Sequence, residues 1–279
     1  MQHSGVFHGV AGCQDHNGHL FGDGHLDLRL GQLAGGFEQR PDDIAQVLGD
    51  LFGGGRGRQR RARRGADVRC AVEIDLAEAA KLYRDDFLAF LNQKDGSSSP
   101  EGLYNPVRYI LNLDGKRIRP VLVLLSADLY GTPVKKAIPS ALAVEVFHNF
   151  TLVHDDIMDD APLRRGQPTV HEKWDTNTAI LSGDAMLIEA YRHLESYPNE
   201  VFKPLMTVFS KTALEVCEGQ RYDMDFESRD DVRIAEYLRM IEYKTAVLIG
   251  CALKMGALVA GASDSDQQAL YAFVIYLVL

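Results

Sequence analysis

One segment constrains the fold more than any other: from Ala137 to Met158, an apolar side chain recurs at nearly every third or fourth position. That spacing predicts a single long helix. Such a helix needs other helices around it to bury its side chains. Its C-terminal end carries four aspartates within six positions, at Asp155, Asp156, Asp159 and Asp160. The fold must therefore place an acidic cluster at the end of a buried helix.

The spacing of these aspartates suits a metal ion. Asp155 and Asp159 are four positions apart, so a helix puts their carboxylates on one face, with Cβ atoms roughly 5–6 Å apart. Hard divalent cations such as Mg²⁺ take oxygen ligands and often share them with substrate phosphates. Arg164 and Arg165 follow, with the fork-shaped donors that phosphate recognition favours. The segment predicts a Mg²⁺–diphosphate site; the alternative is a solvated acidic helix end with ordinary surface arginines.

The rest of the chain from about residue 71 has the same helical texture. Alternation of period two is nowhere sustained, which argues against a sheet. The predicted fold class is all-α, a bundle of long antiparallel helices around a central cavity. Apolar spacing and breaker residues predict the further helices over residues 74–91, 104–113, 121–129, 177–196, 200–218, 232–260 and 263–279.

Residues 1–70 differ in composition from the remainder. Up to residue 65 they hold 15 of the 25 glycines, and the first lysine of the chain is Lys81. Little periodicity predicts a disordered or spurious extension, which leaves residues 71–279 as the folded domain. Six arginines between Arg56 and Arg64 leave open a nucleic-acid-binding arm. The net charge of −9 argues against nucleic-acid binding through the whole surface.

The lack of recognisable targeting signals, together with the cysteine usage, predicts a cytoplasmic, reduced protein. No apolar run reaches about 18 residues, so no membrane span is expected. The first residues lack the basic and apolar regions of a signal peptide. The four cysteines are widely spaced, without a CxxC pair, which argues against a disulfide framework or a zinc site.

Three further groups of residues suit diphosphate chemistry. Lys116, Arg117 and Arg119 surround a helix entrance beside Gly115, a plausible diphosphate cradle. His148 lies two helical turns before Asp155, on the stripe of Thr151, and is either a core residue or a phosphate contact. His154 is interpreted as structural. Lys244-Thr245 falls inside an apolar helix, where a lysine must find an anion or reach solvent. Gly219, Gln220 and Asp223 on the preceding helix predict a close approach of a helix or a ligand.

Taken together, these residues resemble the trans-isoprenyl diphosphate synthase (polyprenyl synthetase) family over about residues 85–279. The segment from Gly115 to Pro120 is similar to the family's GKRxRP motif, and His148 to its upstream histidine. The other matches are Asp155–Asp159 to its first aspartate-rich motif, Arg164–Gly166 to its RRG and Lys244-Thr245 to its KT. The resemblance implies an isoprenoid synthase type I-like helical fold and a short-chain, farnesyl- or geranylgeranyl diphosphate synthase-like activity.

The resemblance also implies roles for single residues. Lys116, Arg119, His148 and Arg165 are expected to bind isopentenyl diphosphate. Asp155 and Asp159 are expected to hold Mg²⁺ against an allylic diphosphate, which also meets Arg164 and Lys244, while Thr245 and Gln220 lie near the developing carbocation. Asp155, Asp159, Lys244 and Thr245 are thus the expected catalytic residues. Phe150 and Thr151, five and four places before the first aspartate, are expected to form the floor that limits the product to C15 or C20. A homodimer is expected.

The sequence departs from the family pattern in two places. Asp114 stands where the family usually has a glycine. The family also has a second aspartate-rich motif, and the sequence ends at Tyr271–Leu279, residues that resemble the approach to it. A C-terminally truncated product is therefore expected. The alternative function is an impaired homologue or non-catalytic subunit that only binds diphosphate. A class I terpene cyclase shares DDxxD but has no need for a second diphosphate site, so the GKRxRP and RRG motifs count against it.

Overall fold

Helices account for nearly all of the described chain, which comprises residues 76–92 and 99–278 of a computed structural model. The predicted extension over residues 1–70 lies outside the described residues. The helices are α1 (Leu76–Asn92), α2 (Glu101–Asn112), α3 (Ile118–Leu129), α4 (Val134–Met158), α5 (Val170–Lys173), α6 (Thr176–Leu194), α7 (Asn199–Phe226), α8 (Ile234–Ile241), a π-helical turn (Glu242–Ala246), α9 (Val247–Val259) and α10 (Asp264–Val278).

Helix α4 lies at the centre of the bundle. Its side chains are buried around most of its circumference, among them Ala137, Ala141 and Val144 with no exposed surface. It packs most extensively against α6 and α3, and α9 covers both α3 and α4. The arrangement confirms the predicted all-α helical bundle. Within the described residues, no helix combines the length and apolar character needed to cross a bilayer.

Several helix boundaries differ from the predictions. The N–H groups of Leu103 and Tyr104 donate to the carbonyl of Pro100, so α2 begins at Glu101, three residues early. Helix α7 does not end at residue 218 but continues to Phe226, because Gly219 is buried in a helix–helix contact that offsets its low helix propensity. The single helix predicted over residues 232–260 is instead divided by the π-helical turn.

A short β-hairpin occupies part of the predicted loop after α4. Strands β1 (Leu163–Arg164) and β2 (Gln167–Pro168) pair antiparallel. Between them, Arg165 and Gly166 both have positive φ, at 53° and 77°. Two central residues of that kind are the requirement of the tight turn that matches strand twist. The hairpin directs the neighbouring side chains Arg164 and Arg165 to different partners.

Candidate active site beside helix α4

A cationic cavity of about 590 Å³ lies between α3, α4 and the hairpin. Four residues predicted to bind one diphosphate line it together: Lys116, Arg119, His148 and Arg165. The other lining residues are Arg84, Asp114, Gly115, Arg117, Ile118 and Glu145. Five of these ten side chains are cationic and two are acidic, so the cavity suits an anion.

Arg119 and His148 form the inner wall of this cationic cavity. Arg119 Nη1 lies 3.0 Å from His148 Nε2, and because arginine only donates, Nε2 is the acceptor and the proton is on Nδ1. Burial, followed by Arg119, Arg165 and other arginines, lowers the pKa of His148 well below its ordinary value. The imidazole is therefore neutral near pH 7. Among the described residues, the buried Nε of Arg119 has no hydrogen-bond partner.

Gly115 allows the guanidinium of Arg165 to lie against the backbone of the cradle. A Cβ atom at residue 115 would come within 2.7 Å of Arg165 Nη1. Arg165 Nη1 also donates to the carbonyl of Leu113 at 3.4 Å. Burial, then the adjacent charge of Arg117, lowers the pKa of Arg165. The close approach predicted for this glycine therefore accommodates another arginine.

Arg117 has a structural task that the sequence did not reveal. Its guanidinium forms a buried ion pair with Glu145, with 2.5 Å between Nη1 and Oε1, and donates to the carbonyls of Leu111 and Leu113. Glu145 also accepts from the side-chain amide of Asn149. In the sequence, Glu145 could have been noticed as an acidic residue within an apolar run, three positions before His148. Arg84 on α1 also lines the cavity, and no local pattern links it to the cradle.

A second cavity of about 270 Å³ lies on the same helix, beyond the cationic one, and is called the acidic cavity after Asp155, the one acidic residue among the described residues that line it. Asp155, Lys244 and Gln220 line it, together with the predicted floor residues Phe150 and Thr151. The rest of its lining is His154, Met158, Val216, Cys217, Arg221 and Met224. Apolar atoms dominate this lining, with the polar groups gathered around Asp155.

The negative charge of Asp155 lies in an unfavourable, partly buried position, where a bound cation would stabilise it. Burial is the main reason that its pKa is raised to about 6; Lys244 lowers it, and repulsion from Asp159 raises it. Asp156, by contrast, already has a partner: it is 1% exposed, and Arg164 donates to both of its oxygens at 2.9 and 2.8 Å. Asp155 and the exposed Asp159 are four positions apart and form no ion pair in the described part of the chain, and a pair of carboxylates of this kind fits Mg²⁺.

The π-helical turn presents Lys244 to the acidic cavity. Such turns carry one extra residue and are frequent at functional sites. A Cβ atom at Gly219 would lie 2.2 Å from the backbone nitrogen of Lys244, so only glycine allows α7 to pack this closely. The side chain of Lys244 donates to Asp223, also on α7. The close approach predicted near Gly219 is therefore that of another helix.

Phe150 lines the same cavity as Asp155. Its ring packs against His154 and Phe147, with centroids 4.8 and 5.5 Å apart. His154 lines the same acidic cavity, a position that the sequence did not single out. Three predicted residues line neither of the two cavities: Asp159 is exposed at the end of α4, Arg164 is held by Asp156, and Thr245 is half-buried in the π-helical turn.

The fold and the two cavities define the class as an all-α bundle protein with a cationic cavity and a cavity that contains Asp155, both lined by residues of one helix. The family model described as polyprenyl synthetase matches residues 100–279. The chain belongs to the polyprenyl synthetase family.

Relatives and solved structures agree with that assignment. A geranylgeranyl diphosphate synthase of Methanosarcina mazei is 49% identical over 173 residues, which are 61% of this chain and 53% of the relative. A geranylgeranyl pyrophosphate synthase of Geoglobus acetivorans is 42% identical over 203 residues, 72% of this chain and 62% of the relative. A crystal structure of a geranylgeranyl pyrophosphate synthase matches with a TM-score of 0.70 and 58% identity, covering 71% of this chain and 61% of that one. The chain thus spans between half and two thirds of the length of these relatives.

Proposed function

We propose that the chain carries the activity of a Mg²⁺-dependent prenyltransferase, which condenses isopentenyl diphosphate with an allylic diphosphate to a C15–C20 prenyl diphosphate. The observation that carries the proposal is the placement of His148 and Asp155 on α4, two turns apart and one in each cavity. A cationic cavity and an acidic cavity at that spacing suit two diphosphate substrates held side by side. The names of the relatives support the same chemistry.

The cationic cavity is the proposed site of isopentenyl diphosphate. Lys116, Arg119 and Arg165 supply positive charge, and the unpartnered Nε of Arg119 has a donor to spare for a phosphate oxygen. Neutral His148 accepts from Arg119 through Nε2 and so orients that guanidinium. Its Nδ1–H is the proposed donor to the diphosphate.

The acidic cavity is the proposed site of the allylic diphosphate. Bound Mg²⁺, held by Asp155 and Asp159, would stabilise the negative charge that accumulates on the departing diphosphate. Lys244 and Arg164 are proposed to add positive charge there. Lys244 is paired with Asp223 and Arg164 with Asp156, so each cation would have to contact the diphosphate as well as its carboxylate. Preorganised cations of this kind lower the barrier to ionisation.

The walls of the acidic cavity are proposed to protect the allylic cation and to limit product length. Val216, Met158 and Met224 line this cavity and are proposed to supply the apolar surface that limits access of water to the cation. Gln220 and Thr245 are proposed to lie near the developing charge. Phe150 and Thr151 are proposed as the floor against which the growing chain stops. The proton released in the condensation passes to the departing diphosphate.

Direct binding tests the cationic half of the proposal. Isothermal titration of the full chain with isopentenyl diphosphate is expected to show one site. Arg119→Gln should weaken binding by roughly ten- to a hundredfold, the loss expected for a charge-assisted hydrogen bond. Lys135→Gln, which removes an exposed lysine of the first turn of α4, is the matched control and should bind as the unaltered chain does. Equal affinity in all three proteins would contradict the assignment.

Product formation separates the enzyme from the alternative, an impaired or non-catalytic homologue that only binds diphosphate. The chain is incubated with Mg²⁺, isopentenyl diphosphate and an allylic diphosphate, and the prenyl products are analysed. The proposal expects product from the chain and none from Asp155→Asn. Retained binding of isopentenyl diphosphate without product would favour the non-catalytic alternative.

A homodimer is proposed as the assembly. The support is a pair of exposed aliphatic side chains seven positions apart, and so on one face of α6: Leu181, 61% exposed, and Ile188, 60% exposed. A contact with another chain would remove these apolar side chains from water. Light scattering after size exclusion should give twice the chain mass, and Leu181→Glu with Ile188→Glu should give the monomer mass. The expected cytoplasmic location stays a prediction.

A further inference from the structure

A group of potential metal ligands lies beyond the two cavities, at the other end of the hairpin loop. Asp160 follows α4, and His171 and Glu172 are in α5. A carboxylate oxygen of each acid and a ring nitrogen of the histidine all lie within 4.8 Å of one another. None of the three belongs to the proposed diphosphate sites.

The histidine of this group is buried without a partner. Its side chain is 7% exposed, and neither ring nitrogen has a hydrogen-bond partner among the described residues. Nε2 lies 3.8 Å from Glu172 Oε1, which is too long for a hydrogen bond. Buried polar atoms are almost always satisfied, and an absent ion is one of the recognised reasons for an exception.

The two carboxylates also lack a cationic partner. Within the described part of the chain, neither Asp160 nor Glu172 forms an ion pair with a lysine or arginine. The adjacent Lys173 is engaged elsewhere, with its ammonium 3.7 Å from the centre of the Tyr109 ring. Two carboxylates and one imidazole therefore lie close together without a lysine or arginine partner among the described residues.

The loop between the ligands is tied at its base. The hydroxyl of Thr169 donates to the carbonyl of Ala161 at 2.8 Å, and its backbone N–H donates to the carbonyl of Pro162 at 3.1 Å. These bonds join the chain after Asp160 to the chain before His171. The ligand atoms are thus held near one another before any ion arrives.

We propose that Asp160, His171 and Glu172 form a binding site for a first-row transition-metal dication of the Zn²⁺ type. One imidazole and two carboxylates suit such an ion and leave a coordination position for water. Mg²⁺ prefers oxygen ligands alone, so this site is chemically different from the one proposed at Asp155 and Asp159. The ion would close the loop that carries Arg164 and Arg165.

Titration of the full 279-residue chain with Zn²⁺, in excess Mg²⁺ and without diphosphate, tests the site. The unaltered chain should bind one Zn²⁺ and melt at a higher temperature when it is bound. His171→Gln should weaken binding at least about tenfold, since even changes behind the ligands cost that much. Asp160→Asn and Glu172→Gln, both at exposed positions, should weaken it similarly.

Two controls distinguish this site from other metal-binding groups. His193→Gln removes a histidine from the last turn of α6, and Asp159→Asn alters the aspartate pair of α4; both should bind Zn²⁺ as the unaltered chain does. Failure of the unaltered chain to bind Zn²⁺ would overturn the proposal. So would equal binding by all three ligand variants, or loss of binding in Asp159→Asn alone. None of these outcomes bears on isopentenyl diphosphate binding.

Discussion

The carboxylate of Asp155 is ionised in a place that does not favour charge. Its pKa is raised to about 6, mainly by burial, whereas an unfolded chain releases the same proton near pH 3.8. Between these values the folded state binds more protons than the unfolded state. Stability contributed by the protonated form is therefore present at low pH and is lost as the pH rises towards about 6.

Replacing Asp155 by asparagine should stabilise the ligand-free chain at neutral pH. Asp155→Asn removes the buried charge and should raise Tm at pH 7 by roughly 2–4 °C, the shift that about 1 kcal/mol produces in a domain of this size. The gain should shrink as the pH falls towards about 4. Thermal unfolding at both pH values measures it, with Asp86→Asn on the exposed face of α1 as control. A lower Tm at pH 7 would show that Asp155 is stabilising.

The Arg117–Glu145 pair should matter for folding more than for binding. Glu145→Gln leaves the guanidinium of Arg117 buried without a counter-charge, and breaking such a pair costs about 3–5 kcal/mol. Denaturant unfolding is expected to show that loss. The double variant Arg117→Met with Glu145→Leu, which removes both charges, should recover most of the stability. If Glu145→Gln alone is neutral, the ion pair does not stabilise the cradle.

The side chain of Phe150 is expected to set product length. Phe150→Ala opens the cavity beside Asp155, so the product distribution should move to longer chains. Chromatography of the prenyl products measures the change in any form of the protein that turns over. Phe147→Ala is a useful comparison, since Phe147 packs against Phe150 but does not line the cavity. Unchanged products in Phe150→Ala would remove the floor assignment.

Residue spacing predicted much of the site's composition, but not its internal pairing. Lys116, Arg119, His148 and Arg165 were expected to share one ligand, and they line one cavity. The sequence did not distinguish Arg117 from its neighbours, because the difference depends on a left-handed backbone at φ 50° and on Glu145 from another helix. Similarly, nothing local indicated that Arg164 faces Asp156 while Arg165 faces the cationic cavity.

At the scale of elements, periodicity found the helices but missed several of their boundaries. The apolar repeat predicted α4 to its last residue, Met158, because packing follows that repeat. The π-helical turn was missed, since one extra residue in a helix leaves the apolar pattern almost unchanged. The extension of α7 to Phe226 was missed because Gly219 has a low helix propensity. Its contact with Lys244, 25 residues further along the chain, offsets that propensity and leaves no local signal in the sequence.

The contact between α7 and the π-helical turn should not tolerate a methyl group. Gly219→Ala places a Cβ atom 2.2 Å from the nitrogen of Lys244, so the segments must separate, at a cost of about 1–3 kcal/mol. Gly102→Ala is the matched control: this helical glycine has nothing within 4 Å, and alanine there should stabilise by roughly 0.5–1 kcal/mol. Denaturant unfolding compares the two. Stabilisation by both would show that the contact at Gly219 is loose.

For the whole molecule, the compositional change near residue 70 predicts which part carries function. Removal of residues 1–70 should leave affinity for isopentenyl diphosphate unchanged, because the described residues that line the cationic cavity all lie between Arg84 and Arg165. Calorimetry of the shortened chain checks this. The same comparison with a DNA duplex should show no binding by either form. A loss of diphosphate affinity on shortening would mean that the first 70 residues contribute to the cavity.

Helix α4 also fixes the distance between His148 and Asp155. Seven residues separate His148 from Asp155, and at about 1.5 Å per residue they span roughly 10 Å along the helix axis. Because α4 is packed on nearly all sides, the distance between His148 and Asp155 is held rigidly. A single residue inserted between them would lengthen the interval only slightly but would rotate Asp155 by about 100° away from its cavity. Sequence change in this stretch is therefore restricted to substitution.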